Sequence, residues 1–193
     1  MKLDLKRANR PLYDANREPA LVAAPPLPYL MADGVGDPDG ETYRAAVEGL
    51  YRTSYAVRAA LKSGVEYSVM PLQGRWHGEG FDPDRSSWRW TMMILQPPQA
   101  TPELVAAALG TVGAKHPGTS PPRFEVFDEG ECAQVLHIGP YADEVPTRDR
   151  LMKFVAEQGR VLRGSHHEIY LSDPRRAAPE KLKTILRYPV ASG

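Results

Sequence analysis

The sequence predicts an α+β fold in which two halves with the same order of elements form an antiparallel sheet, with helices on one face. A strand, a glycine-bearing turn, a long helix and two further strands follow one another within residues 27–96, and this order returns within residues 123–190. The offset of about 100 residues is too long for a solenoid repeat and is typical of a duplicated half-domain. Such halves leave the second sheet face open, as a ligand groove or as a dimer interface.

The bulk composition is that of one globular domain covering residues 1–193. Hydrophobic residues make up 42% of the chain and charged residues 25%, close to the average of globular proteins. The 24 basic and 24 acidic residues give zero formal net charge and a sequence pI of about 7.0. Proteins that bind nucleic acid usually carry a basic face, so we predict no nucleic-acid partner.

Cysteine usage and the N-terminal residues indicate a cytoplasmic protein with no membrane partner. Cys132 is the single cysteine, which excludes an intramolecular disulfide and a cysteine-built zinc site. Residues 1–7 lack the apolar core of a signal peptide, and no apolar run approaches the roughly 20 residues that span a bilayer. Because no phosphate-binding loop, nucleophile elbow or His-Glu-x-x-His motif is present, we predict no cofactor and no bound metal. We also expect a monomer or a weak homodimer.

The first half follows a proline-rich arm of residues 1–26, whose prolines favour an extended or edge segment. Apolar residues at three- and four-residue steps predict the long helix, and Gly64 suits its C-terminal cap. The predicted elements are a strand at Leu27–Met31, a helix at Glu41–Lys62, strands at Val65–Leu72 and Ser87–Gln96, and a loop at Gly74–Asp84 between those two strands.

The second half follows a helix that begins at Thr101-Pro102-Glu103, where a capping hydroxyl, a proline and an acid mark a helix start. We predict that this helix ends near Leu109, before the glycines of residues 110–122. The elements predicted beyond it are a hairpin of Phe124–Phe127 and Cys132–Ile138, a helix at Glu144–Glu157, a strand at His166–Leu171, a helical turn at Pro179–Leu182 and a strand at Lys183–Val190.

The strand at His166–Leu171 carries the main candidates for chemistry. His166, Glu168 and Tyr170 alternate along it and share one face. Because Ile169 and Leu171 suit packing against the helices, we expect these three residues on the open face. A carboxylate beside a phenol could then perform acid–base chemistry, and burial would raise the pKa of Glu168. The alternative is an ordinary strand with a solvated polar face.

Tryptophans mark a second candidate surface. Trp88, Trp90 and Met92 share one face of their strand, and Trp76 lies in the preceding segment. On the open face, these aromatic rings would hold a planar ligand. On the helix-facing side they would be core residues, and the alternation permits either assignment. Cys132 has no base near it in the sequence, which indicates a structural residue.

Several segments together resemble the GyrI-like family, in its stand-alone subgroup. The C-terminal signature is the run from Ser165 to Arg176, which continues from Pro179 to Arg187. Supporting matches, in the family's order and over nearly the whole chain, are Leu50–Tyr55, Trp88–Met93 and Leu136–Tyr141. The resemblance implies two pseudo-twofold halves around a groove that accepts lipophilic, often cationic, aromatic compounds.

The resemblance also implies functional residues. Glu168 matches the buried glutamate at the centre of the groove, and some members of the subgroup hydrolyse the cyclopropane ring of DNA-alkylating natural products. On that basis Glu168 would activate water and Tyr170 would donate a hydrogen bond. The residues expected to contact the ligand are Trp76, Trp90, Met92, Tyr51, Tyr55, Tyr141 and His166, and also His77, which stands where relatives often have a second tryptophan.

Two functions follow from this interpretation. The first is a hydrolase that opens strained, electrophilic rings of lipophilic toxins. The second is a binding module that sequesters or senses lipophilic cationic compounds without turnover, because a buried glutamate also attracts cations. The sequence does not separate the two functions.

Overall fold

The computed structural model describes residues 2–78 and 84–193. The chain has a mixed α+β fold with antiparallel strand pairing, as predicted. In chain order its elements are α1 (Leu5–Ala8), α2 (Arg10–Tyr13), β1 (Ala20–Ala24), β2 (Leu27–Val35), α3 (Glu41–Leu61), β3 (Gln73–His77), β4 (Arg89–Leu95), α4 (Pro102–Lys115), β5 (Arg123–Phe127), β6 (Gly130–Ile138), α5 (Val145–Glu157), β7 (Arg160–Leu162), β8 (His166–Tyr170) and β9 (Lys183–Ser192).

The chain divides into two compact units. The first contains the N-terminal residues up to Ala8 together with Leu27–Met70 and Gly74–Phe127, and the second contains Asn9–Pro26, Pro71–Gln73 and Asp128–Gly193. No helix of the described segments has the length and hydrophobicity that crossing a lipid bilayer requires.

In the first unit, β2 is the central strand. It pairs antiparallel with β4 on one side and with β5 on the other, and β3 lies beside β4. The long helix α3 buries the predicted stripe, which includes Ala46, Leu50 and Val57. The hydroxyl of Thr101 accepts a hydrogen bond from the backbone N–H of Leu104 and caps α4 as predicted.

Three boundary predictions for the first unit are wrong. The segment 65–72 forms no strand, because the β-pairing recorded for it is one isolated bridge between Glu66 and Lys2. The strand forms later, as β3, inside the predicted loop 74–84, and residues 79–83 of that loop lie outside the described residues. Helix α4 continues to Lys115, because Gly110 costs a helix interior only about 1 kcal/mol relative to alanine.

In the second unit the strand order is β1-β6-β9-β8, and β7 pairs with the far end of β9. The predicted hairpin of residues 124–138 is wrong, because β5 pairs with β2 whereas β6 pairs with β1 and β9. Helix α5 packs on β6 and β9 through a core of Ala133, Val135, Leu151, Val155, Leu186 and Val190. In both units the strand before the long helix pairs with the last strand of the half.

A buried ionic network lies on the side of β8 and β9 away from this core. The ring of His167 is fully buried, with Nδ1 2.8 Å from Oε1 of Glu129 and Nε2 3.0 Å from the amide oxygen of Gln73. Both nitrogens face acceptor oxygens, so the ring is an imidazolium. Arg187 donates to Oε2 of Glu129 at 3.2 Å and to the backbone oxygen of Leu12 at 2.6 Å. The network therefore joins β8 and β9 to α2.

This network fixes the charge of Glu129. Burial alone would raise the pKa of the carboxyl, but the positive charges of His167 and Arg187 outweigh it and lower that pKa to about 2. Cys132 lies nearby, and burial together with the Glu129 charge raises the pKa of its thiol to about 12. The thiol is thus an unreactive core group, as the sequence indicates.

The substitution Gly34→Ala should destabilise the first unit strongly. A Cβ atom at Gly34 would lie 2.1 Å from the ring of Trp90, so the indole would have to move. We expect a loss of about 2–3 kcal/mol in the free energy of unfolding, measured by urea denaturation. The control is Gly110→Ala, which meets no atom within 4 Å and should stabilise helix α4. Equal effects of the two substitutions would contradict this packing.

The substitution Glu129→Gln should remove an acid-sensitive part of the stability. The folded pKa lies below the ordinary value of 4.5, so ionised Glu129 stabilises the fold above pH 4.5, and this contribution is lost as the pH falls from 4.5 to 2. We expect a loss of about 3 kcal/mol at pH 7 that shrinks over this pH window. Denaturation curves at several pH values test this, and a loss that is constant with pH would contradict it.

Candidate functional site

The candidate site of the second unit lies on β8, on the face that α5 covers. His166, Glu168 and Tyr170 share one face as predicted, but the expectation that this face is open is wrong. Glu168 lies directly opposite Leu186 of β9, and Leu186 packs in the core with residues of α5. The alternation of a strand fixes which residues share a face, whereas the helix position depends on contacts distant in sequence.

The carboxylate of Glu168 is held by two neighbours on its own strand. Tyr170 donates its phenolic hydrogen to Oε2 at 2.8 Å, and Nε2 of His166 lies 2.9 Å from Oε1. Only 7% of Glu168 is exposed, so little solvent competes for these contacts. Each carboxylate oxygen has two lone pairs, and each keeps one for a further donor.

A second carboxyl, which the sequence analysis missed, completes the site. Glu144 precedes the first residue of α5, is 7% exposed, and makes no side-chain cap on its helix. Donor atoms of Glu144, His166 and Glu168 lie within 4.8 Å of one another. Among the described residues, Oε1 of Glu144 has no hydrogen-bond partner. The signal in the sequence is weak, because an acid at the start of a helix is common.

The two carboxyls influence each other electrostatically. Burial and the negative charge of Glu168 raise the pKa of Glu144 to about 9, although Arg148 on the same helix opposes the shift. Glu144 is therefore neutral at pH 7. One proton on two neighbouring carboxyls is the arrangement that separates an acid from a base in many active sites.

The same three residues, Glu144, His166 and Glu168, are the donor group that could surround a cation within the described parts of the chain. However, both oxygens of Glu168 already accept hydrogen bonds from Tyr170 and His166. Glu168 is thus held by hydrogen bonds from its own strand, whereas a coordination shell needs ligand atoms that all point at one ion.

Aromatic rings surround the carboxyls. Tyr141 meets Tyr170 edge-on with ring centroids 5.9 Å apart, and the ring of His166 lies 4.7 Å from that of Tyr188. Burial raises the pKa of Tyr188 to about 12, and burial together with the charge of Glu168 raises the pKa of Tyr141. Tyr141 is 41% exposed and lies at the surface end of the site. The surroundings are thus neutral phenols that suit an apolar or cationic ligand.

The tryptophans form a cluster of their own in the first unit. Trp90 is 1% exposed, packs edge-on against Tyr43 of α3, and donates its indole N–H to the backbone oxygen of Gly36. Met92 is fully buried on the same face, so both are core residues in this structure. Trp76 is half-buried between Tyr43 and Trp88, and its indole N–H has no partner among the described residues.

His77 lies on the opposite side of β3 from Trp76, because neighbouring strand residues alternate. The hydroxyl of Thr91 donates to Asp33 at 2.6 Å, so it must accept the hydrogen on Nε2 of His77, which is 2.8 Å away. Burial and the charge of Arg75 lower the pKa of His77, so its ring is neutral at pH 7. His77 therefore does not extend the aromatic wall of Trp76.

Tyr51 and Tyr55 lie together on another surface of the first unit. They line a cavity of about 700 Å³ between α3 and α4, whose other lining residues are five alanines, Leu104, Val112 and five polar or charged side chains. Tyr55 is 55% exposed. The two tyrosines thus stand apart from the tryptophan cluster, which packs at the first turn of α3.

Comparison with known proteins identifies the domain. Residues 18–191 match the model of the GyrI-like small molecule binding domain. Three solved structures from Listeria innocua have the same fold. An uncharacterized conserved protein is 40% identical (TM-score 0.92, 98% of this chain and 100% of the other covered). Two further proteins are described as hydrolases. One is 38% identical with a TM-score of 0.92, and the match covers 99% of this chain and 100% of that protein. The other is 37% identical with a TM-score of 0.88, and the match covers 98% of this chain and 100% of that protein. No curated protein sequence matches the chain.

The substitution Glu144→Gln should stabilise the protein, and the gain should grow with pH. The folded pKa of about 9 exceeds the ordinary value of 4.5, so the native state holds an extra proton and loses stability as the pH rises from 4.5 to 9. Glutamine removes this loss. We expect the free energy of unfolding to rise by about 1–3 kcal/mol at pH 8 and not to change near pH 4.5, as measured by urea denaturation. The control is Glu157→Gln on the exposed side of α5, which should show no such gain at pH 8.

Proposed function

Because the chain belongs to the GyrI-like family of small-molecule-binding domains, we propose that it is a hydrolase that adds water to the strained cyclopropane ring of lipophilic, electrophilic toxins and so detoxifies them. The observation that carries this proposal is the shielded carboxylate of Glu168, held by Tyr170 and His166 beside the second carboxyl of Glu144. The Listeria relatives described as hydrolases support the reaction class.

In the proposed reaction, Glu168 is the general base. A water molecule that donates to a free lone pair of Glu168 loses its proton to the carboxylate as its oxygen bonds to a carbon of the three-membered ring. The bond from that carbon to the spiro centre breaks, and its electrons move into the attached dienone, which becomes a phenolate. Protonation of the phenolate oxygen gives the phenol, so the sum is addition of one water.

The neighbours of Glu168 orient this base. With Tyr170 on Oε2 and His166 near Oε1, the carboxylate cannot rotate freely, and its remaining lone pairs point in fixed directions. Both contacts are hydrogen bonds to a charged group and hold it more firmly than neutral ones would. Only 7% of Glu168 is exposed, which limits the access of bulk water that would otherwise hydrate the base and weaken it.

A second function has its own support. A buried carboxylate among tyrosine rings is also a binding site for a lipophilic cation, since the ring faces and the negative charge both attract it. Such a site would sequester or sense drug-like compounds without turnover. The two functions differ in whether a water molecule reacts beside Glu168.

The substitution Glu168→Gln separates the two functions. A cyclopropane-bearing duocarmycin-type compound is mixed with excess protein in ¹⁸O-labelled water, and the product mass is followed over a single turnover. We expect the wild type to incorporate one labelled oxygen and the variant to react at least about 100-fold more slowly, because glutamine cannot accept the proton. Binding of the same compound is measured by calorimetry and should survive the substitution.

The control for this experiment is Glu180→Gln, which changes an exposed glutamate of the same unit and should leave the rate unchanged. Tight binding without incorporation of ¹⁸O by the wild type would sink the hydrolase proposal for this compound class. A binding module would then be the better account.

A further inference from the structure

The proposed reaction leaves one proton without a source. As the ring opens, negative charge develops on the oxygen of the former dienone, and Glu168 cannot neutralise it because it is taking a proton from water. Catalysis of this step needs an acid that is neutral at the working pH and lies close to the base.

We propose, on the basis of the hydrolase function above, that Glu144 is this acid and delivers its proton to the oxygen on which charge develops. Only 7% of the residue is exposed, and Oε1 is buried with no hydrogen-bond partner among the described residues. A buried carboxyl oxygen without a partner in the protein is available to a partner on the substrate.

The groups that face Glu144 come from each neighbouring element. Glu168 and His166 lie on β8, Tyr188 on β9, Tyr141 in the turn before α5, and Arg148 on α5 itself. Arg148 and the N-terminus of α5 favour an ionised Glu144, whereas burial and the charge of Glu168 oppose ionisation and prevail.

The arrangement also closes the proton cycle. After one turnover Glu168 carries the proton from water and Glu144 is ionised. Because donor atoms of the two carboxyls lie within 4.8 Å, the proton can return directly or through one water molecule without leaving the site. No oxidant, reductant or metal ion enters this sequence.

The first test uses Glu144→Gln in the complete protein, with Glu157→Gln as the matched control on the exposed side of the same helix. We expect Glu144→Gln to lower the single-turnover rate about 100-fold with little change in binding, and to abolish the fall in rate of the wild type near pH 9. For compounds that yield a more acidic phenol the substitution should lower the rate less, because the oxygen on which charge develops needs less help from an acid.

The second test does not depend on activity. In protein labelled with ¹³C at the glutamate carboxyls, the signal that is absent from Glu144→Gln should show a protonated carboxyl at pH 7 that titrates near pH 9. Signals of exposed glutamates should titrate near their ordinary pKa of about 4.3.

The outcomes separate the two proposals. If the wild type turns over and Glu144→Gln keeps its rate and pH profile, or if Glu144 is ionised at pH 7, the acid assignment is overturned while the hydrolase function stands. A wild type that binds the compound without adding water overturns both, whatever the carboxyl signal shows. Loss of activity with a chelating agent and recovery with a divalent cation would also overturn the assignment, because a metal would then supply the positive charge.

Discussion

The second unit depends on one constraint, namely that β8 buries ionisable side chains on both of its faces. On one face His167 is an imidazolium between Glu129 and Gln73, and on the other Glu168 accepts bonds from Tyr170 and His166. A buried charge costs several kcal/mol unless it is paired and hydrogen-bonded. The two faces meet this cost differently, because the first pairs opposite charges whereas the second brings two acids together and retains a proton.

Because of this difference, one face of β8 stabilises the fold and the other face carries the candidate site. The Glu129 network consists of compensated charges and ties β9 to α2 through Arg187. The Glu168 face carries the unfavourable arrangement, with a carboxyl kept neutral by its neighbour. A site that destabilises the fold needs support from elsewhere, and the paired network directly behind it provides that support.

The sequence predicts those features that depend on local patterns. Helix α3, the cap at Thr101 and the shared face of His166, Glu168 and Tyr170 follow from periodicity and capping chemistry. Features that depend on pairing partners distant in sequence are missed. The turn residues before Gly130 suggest a hairpin, yet β5 and β6 pair with strands that arrive from elsewhere in the chain. Likewise, no local signal shows which face of β8 the helix covers.

Glu144 shows why a site is harder to predict than a fold. Its position before a helix is ordinary, and nothing in its neighbours in sequence distinguishes it from a solvated acid. It becomes part of the chemistry because α5 packs on β6 and β9 and brings its first turn over β8, which removes water from the carboxyl and places Glu168 beside it. Desolvation and proximity arise only in the folded chain, and they turn two common glutamates into an acid and a base.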